Sequence, residues 1–127
     1  MSLKELVSVV DDDESIRESL PDLLEEMGYA ARTFASAEEY LNSGCVDQTA
    51  CLILDIAMPG MSGPDLHRVL VDAGHRMPVI YITANADEAI RPRMLALGAT
   101  DCLSKPFTDR ALQDALDAAL QSDTPPP

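Results

Sequence analysis

A chain of 127 residues, 46% hydrophobic and 24% charged, has the length and apolar content of one compact domain with a single core. Its formal net charge of −13, from 22 acidic against 9 basic side chains, repels phosphate backbones and anionic lipid heads, which argues against direct nucleic-acid binding or membrane association by this chain. No run approaches the roughly 18 consecutive apolar residues of a membrane span, no basic start with an apolar core marks export, and three cysteines without CxxC spacing (Cys45, Cys51, Cys102), two of them in apolar runs that suit a buried thiol, fit a reducing cytoplasm.

The run Leu6-Val7-Ser8-Val9-Val10 predicts a first strand, ended by Asp11-Asp12-Asp13. From about Glu14 to Met27, Ile16, Leu20, Leu23, Leu24 and Met27 recur at helical spacing, and Gly28 stops the pattern. Pro21 inside it deletes a backbone donor and crowds the preceding turn, which predicts a kink or a helix that restarts. Tyr29 to Phe34 reads as a second strand, and Ser36 as the cap of a short helix through Glu38, Glu39, Tyr40 and Leu41. Ala50 to Leu54 is the third strand. Gly63 to Ala73 is a helix with Leu66, Val69, Leu70 and Ala73 on one face and Gly74 as its cap, and His67 and His75 are expected in solvent. Pro78 to Ile82 is a fourth strand ending at Thr83-Ala84-Asn85. Met94, Leu95 and Leu97 mark a fourth helix with Pro92 in its first turn. Asp101 to Ser104 is a brief fifth strand before Lys105-Pro106-Phe107, and a last helix from about Asp109 to Leu120 repeats Leu112, Leu116 and Leu120 beside Ala111, Ala115 and Ala119.

Strand and helix alternate five times, the pattern of an α/β domain with one five-stranded parallel sheet covered by helices on both faces. Right-handed crossovers place the C-terminal ends of all strands on one edge. Asp11 and Asp12 follow strand 1, Asp55 ends strand 3, Thr83 follows strand 4 and Lys105 follows strand 5, so these polar groups converge on one rim. An aspartate there is equally consistent with a turn or helix cap when taken alone. With strands 1 and 3 adjacent, however, each like-charge pair at ~4 Å costs about 4 kcal/mol at an effective dielectric near 20. A small hard dication such as Mg²⁺ suits that oxygen cluster, and Lys105 adds a second positive charge. A metal, a lysine and a hydroxyl around one carboxylate suit phosphoryl chemistry, in which the carboxylate itself can be the nucleophile.

Several segments carry a resemblance: Val9-Val10-Asp11-Asp12-Asp13; Leu54-Asp55 through Met58-Pro59-Gly60-Met61-Ser62-Gly63; Ile82-Thr83-Ala84; and Gly98-Ala99 followed by Lys105-Pro106-Phe107. In this order and spacing, across about residues 5 to 120, the chain resembles the receiver domain of two-component response regulators, and is most similar to receivers of nitrogen-fixation and LuxR-type transcriptional regulators. The resemblance implies a flavodoxin-like (βα)5 fold with strand order 2-1-3-4-5. It implies that Asp55 accepts a phosphoryl group from the phosphohistidine of a sensor histidine kinase. Asp11, Asp12, Asp55 and the backbone carbonyl of Ala57 would hold Mg²⁺. Lys105 and Thr83 would contact the phosphoryl oxygens, and Lys105-Pro106 would be cis.

The same resemblance implies a receiver over residues 1–121, with 122–127 as the start of a linker to an output domain. In that arrangement phosphorylation changes the helix 4–strand 5–helix 5 face and so controls homodimerisation, and DNA is bound through that further domain. The family couples its threonine to an aromatic residue on strand 5, and Cys102 holds that position here. Tyr81 on strand 4 would modulate the same surface, and Pro92 lies in the helix 4 region of it. A stand-alone receiver acting through protein contacts is the alternative. A metal-dependent phosphatase is a further one, but such enzymes commonly carry a second acid two residues past the nucleophile, where this chain has Ala57. A receiver kept only for contacts would not need its acidic, threonine and lysine positions intact.

Overall fold

Five short apolar runs pair side by side, and the amphipathic segments between them cover both faces of the resulting sheet. The computed structural model describes residues 4–85 and 87–121. In chain order it contains β1 (Leu6–Val10), α1 (Glu14–Glu26), β2 (Ala30–Phe34), α2 (Ala37–Leu41), a 3-10 turn at Val46–Gln48, β3 (Thr49–Asp55), α3 (Gly63–Asp72), β4 (Val79–Thr83), α4 (Ile90–Ala96), β5 (Asp101–Ser104) and α5 (Asp109–Gln121). The strands lie in the order β2-β1-β3-β4-β5 and every ladder is parallel. The expected linker at 122–127 falls outside the described residues.

Successive strand residues face opposite sides, so the sheet divides its apolar residues between two cores. On one side Val7, Val9, Cys51, Ile53, Ile80 and Ile82 meet Leu20 and Leu24 of α1 and Leu112 and Leu116 of α5. On the other, Val10, Leu52, Leu54, Val79, Tyr81 and Cys102 meet Tyr40, Leu66, Leu70 and Met94 from α2, α3 and α4. Burial on both faces explains why the strands are nearly continuous apolar runs. All three cysteines are buried and free.

Local chemistry sets the helix starts. Asp13 caps α1 by accepting from Ser15 N at 2.9 Å. Ser36 caps α2 by accepting from Glu39 N, and the Glu39 carboxylate accepts in return from Ala35 N, each at 3.0 Å. Pro92 is the third residue of α4, inside its first turn as expected.

Two expectations are corrected. The helix α1 continues through Pro21 and does not restart there. Leu20 and Leu24, on either side of the proline, are both buried on the sheet. Burying two leucines contributes about 3–6 kcal/mol, enough to offset the roughly 3 kcal/mol that an internal proline costs. The buried face of α3 is Gly63, Leu66, His67 and Leu70, while Val69 and Ala73 are exposed. His67 is therefore a core residue and not a solvated one. The stripe turns toward it because its ring finds a buried partner, the hydroxyl of Tyr81 at 2.8 Å.

Candidate functional site

Pairing of Val10 with Leu54 in the β1–β3 ladder sets the next residues, Asp11 and Asp55, side by side at the rim. Carboxylate oxygens of Asp11, Asp12 and Asp55 all lie within 4.8 Å of one another. Asp11 and Asp55 are buried, and Asp12 faces solvent. Lys105 Nζ lies 2.8 Å from Asp11 Oδ2 and 3.9 Å from Asp55 Oδ1. The lysine is held from behind: its backbone N donates to the Thr83 carbonyl at 2.7 Å, just beyond the β4–β5 ladder. The Lys105-Pro106 peptide is cis. Asp13 donates its backbone N–H to Asp11 Oδ1 at 2.9 Å, so the third acid of the run caps α1 and braces the first.

Burial is the main force on Asp55. It pushes the carboxyl up to about 7, the Asp11 charge pushes in the same direction, and Lys105 opposes both. One buried oxygen is left over. Asp11 Oδ2 is within ion-pair distance of Lys105 but has no aligned hydrogen bond from any group. An orphaned buried oxygen beside two more carboxylates is an all-oxygen donor set, which fits a small hard dication better than a thiolate- or imidazole-loving metal. Ala57, whose carbonyl the resemblance adds to this set, is exposed on the loop just past Ile56.

Thr83 is the last residue of β4, buried, and faces Ser104 across the ladder. Its hydroxyl accepts from Asn85 N at 3.0 Å, which leaves its own hydrogen for another acceptor. A cavity of about 330 Å³ opens beside it, bordered by Ile90, Pro92, Cys102 and Ser104.

Two further contributors act on the site through backbone groups. Arg17 of α1 donates from Nη1 to the Asp11 carbonyl at 2.9 Å and so pins the acidic turn. Gly63, at the start of α3, approaches the strand so closely that a Cβ there would sit 2.3 Å from the Asp55 carbonyl oxygen. A glycine directly after Ser62, which caps α3, is a hint of such contact, but only the structure names what it touches.

Residues 7–117 match the response regulator receiver domain family. Nodulation protein W of Bradyrhizobium diazoefficiens is 43% identical over 122 residues, covering 96% of this chain and 54% of that protein. Transcriptional regulatory protein FixJ of Azorhizobium caulinodans is 40% identical over 90% of this chain and 54% of its own length. The chain thus spans about half the length of these relatives. Among solved structures, the response regulator StyR superposes with a TM-score of 0.85 at 40% identity, covering 95% of this chain and 61% of that one. The structure titled FixJ-N does so with a TM-score of 0.82 at 32% identity, covering 99% and 100%. Together with the acidic cluster and the β2-β1-β3-β4-β5 sheet, these likenesses place the chain in the response regulator receiver domain family.

Proposed function

We propose that the protein is a phosphorylation-dependent signalling switch whose acceptor is Asp55. The observation that carries this reading is the rim itself: Asp55 sits against Asp11, Asp12 and Lys105 at the strand ends. An oxygen of the Asp55 carboxylate attacks the phosphorus of a phosphohistidine on a sensor histidine kinase. The P–N bond breaks, its electron pair stays on the imidazole nitrogen, and an aspartyl phosphate forms. Bound at Asp11, Asp12, Asp55 and the Ala57 carbonyl, Mg²⁺ would neutralise the charge that builds on the phosphoryl oxygens. Lys105 neutralises a further oxygen, and Thr83 donates its free hydrogen to another.

The transfer becomes a signal if it changes which surface is presented. In the reading supported by the relatives named as transcriptional regulators, that change governs dimerisation and a DNA-binding output domain. The acidic chain itself leaves DNA contact to that domain. Among the described residues no helix is long and apolar enough to cross a membrane, and the reading places the protein in the cytoplasm beside the kinase's catalytic portion.

Incubation with Mg²⁺ and acetyl phosphate, followed by intact-mass measurement, tests the reading. Wild type is expected to gain one phosphoryl group, lost on omitting Mg²⁺ and absent from Asp55→Asn. No gain on wild type, or an equal gain on the variant, rejects it. Sustained release of phosphate from varied esters would instead favour a phosphatase.

A further inference from the structure

Val79, Tyr81 and Thr83 alternate onto the same face of β4, the one covered by α2, α3 and α4. Across the ladder, Tyr81 faces Cys102 and Thr83 faces Ser104. Strand β5 therefore offers two small side chains beside Thr83, and a solvent-open pocket bordered by Cys102 and Ser104 lies on that flank where a bulky side chain is lacking. Displacement passes poorly across a gap, because the atoms lining it have no partners to push.

The other flank is tied. The Tyr81 ring is fully buried, its hydroxyl lies 2.8 Å from His67 Nδ1, and the two ring centroids are 5.7 Å apart. His67 sits in the middle of α3, whose first residue donates from its backbone N to the Ile56 carbonyl at 3.0 Å, next to Asp55. The turn after α4 also lies near this ring: a Cβ added to Gly98 would be 3.9 Å from His67 Cε1. Tyr81 also pairs in the β3–β4 ladder with Leu54, the neighbour of Asp55. Packing alone does not call for this pair, since leucine and phenylalanine would fill much the same space without burying an imidazole nitrogen and a phenol. What the pair adds is a directional link from α3 to β4, two residues from Thr83.

We propose that His67 and Tyr81 are positioning residues of the switch. Movement of Thr83 at the end of β4 is carried through the Tyr81 hydroxyl and the His67 ring to α3 and the Gly98 turn, where other receivers use a strand 5 aromatic. The inference rests on Asp55 being the phosphoacceptor.

Hydrogen–deuterium exchange with and without Mg²⁺ and acetyl phosphate tests it, with intact mass recorded on the same samples. Wild type is expected to gain the phosphoryl group and to change its exchange across 66–70 and at the turn around Gly98. The double variant Tyr81→Phe/His67→Leu, which removes both polar groups and keeps the core filled, is expected to gain the group and lose that change. His67→Asn, whose amide can stand in for Nδ1, is expected to keep it. A double variant that retains the exchange change, or a phosphorylated wild type without one at α3, overturns the inference. A wild type that takes up no phosphoryl group fails earlier, at Asp55, and the mass spectrum separates that result from the others.

Discussion

Lys105 stands nearer to Asp11 than to Asp55, at 2.8 Å against 3.9 Å. The ammonium therefore belongs mainly to Asp11, and on the proposed reading a phosphoryl group arriving at Asp55 would draw it across. Lys105→Ala removes the one side-chain cation within ion-pair reach of these two buried acids among the described residues. Deleting one preorganised charge partner typically costs on the order of 100-fold in rate. The time course of the mass gain with acetyl phosphate should slow by roughly that factor, and an unchanged rate would show that Lys105 takes no part in transfer.

Thr83 has a different expected role, because its hydroxyl accepts from Asn85 N and still has its own hydrogen to donate onward. A charge-assisted hydrogen bond contributes roughly 1.5–3 kcal/mol, and full switching needs about 5.5 kcal/mol. Thr83→Ala should therefore still take up the phosphoryl group but switch incompletely, while Thr83→Ser behaves as wild type. Size-exclusion elution before and after phosphorylation reads the difference if the switch governs dimerisation.

Gly63 tests the close approach of α3 to the acceptor strand. Its added Cβ would lie 2.3 Å from the Asp55 carbonyl oxygen and 3.1 Å from the Asp55 carbonyl carbon and Ile56 Cα, all backbone atoms that cannot swing aside. Gly63→Ala should destabilise the fold by roughly 2–3 kcal/mol and slow phosphorylation by displacing Asp55. Denaturant unfolding checks the first effect and intact mass the second. Wild-type stability would mean that the loop relaxes freely.

The buried imidazole predicts an acid-side dependence. Burial holds the His67 pKa below its ordinary 6.5. Below pH ~6.5 the unfolded chain therefore binds a proton that the folded chain refuses, and stability falls as pH falls through that value. Wild type should lose more stability between pH 7.5 and 5 than Tyr81→Phe/His67→Leu, with the carboxylates common to both cancelling in the comparison. Parallel curves in urea titrations across that range would contradict it.

Much of this architecture was legible from local chemistry. Apolar runs ending in Asp11, Asp55, Thr83 and Lys105 fixed the strands and the shared rim, and the cap at Ser36 and the first-turn proline Pro92 followed known terminus preferences. The misses depend on partners that only the fold brings together. His67 reads as a polar surface residue until Tyr81, fourteen positions later, is brought beneath it. Pro21 reads as a helix breaker until Leu20 and Leu24 are seated on the sheet. Arg17 and Gly63 act through backbone groups, which spacing does not reveal.

The central claim is the identity of the acceptor, and reductive trapping addresses it most directly. Borohydride converts an aspartyl phosphate to homoserine, which peptide mapping locates. After incubation with Mg²⁺ and acetyl phosphate, homoserine is expected at position 55 alone, and none when Mg²⁺ is withheld. Conversion at Asp11, Asp12 or Asp13 with position 55 untouched, or no conversion at all, would contradict it.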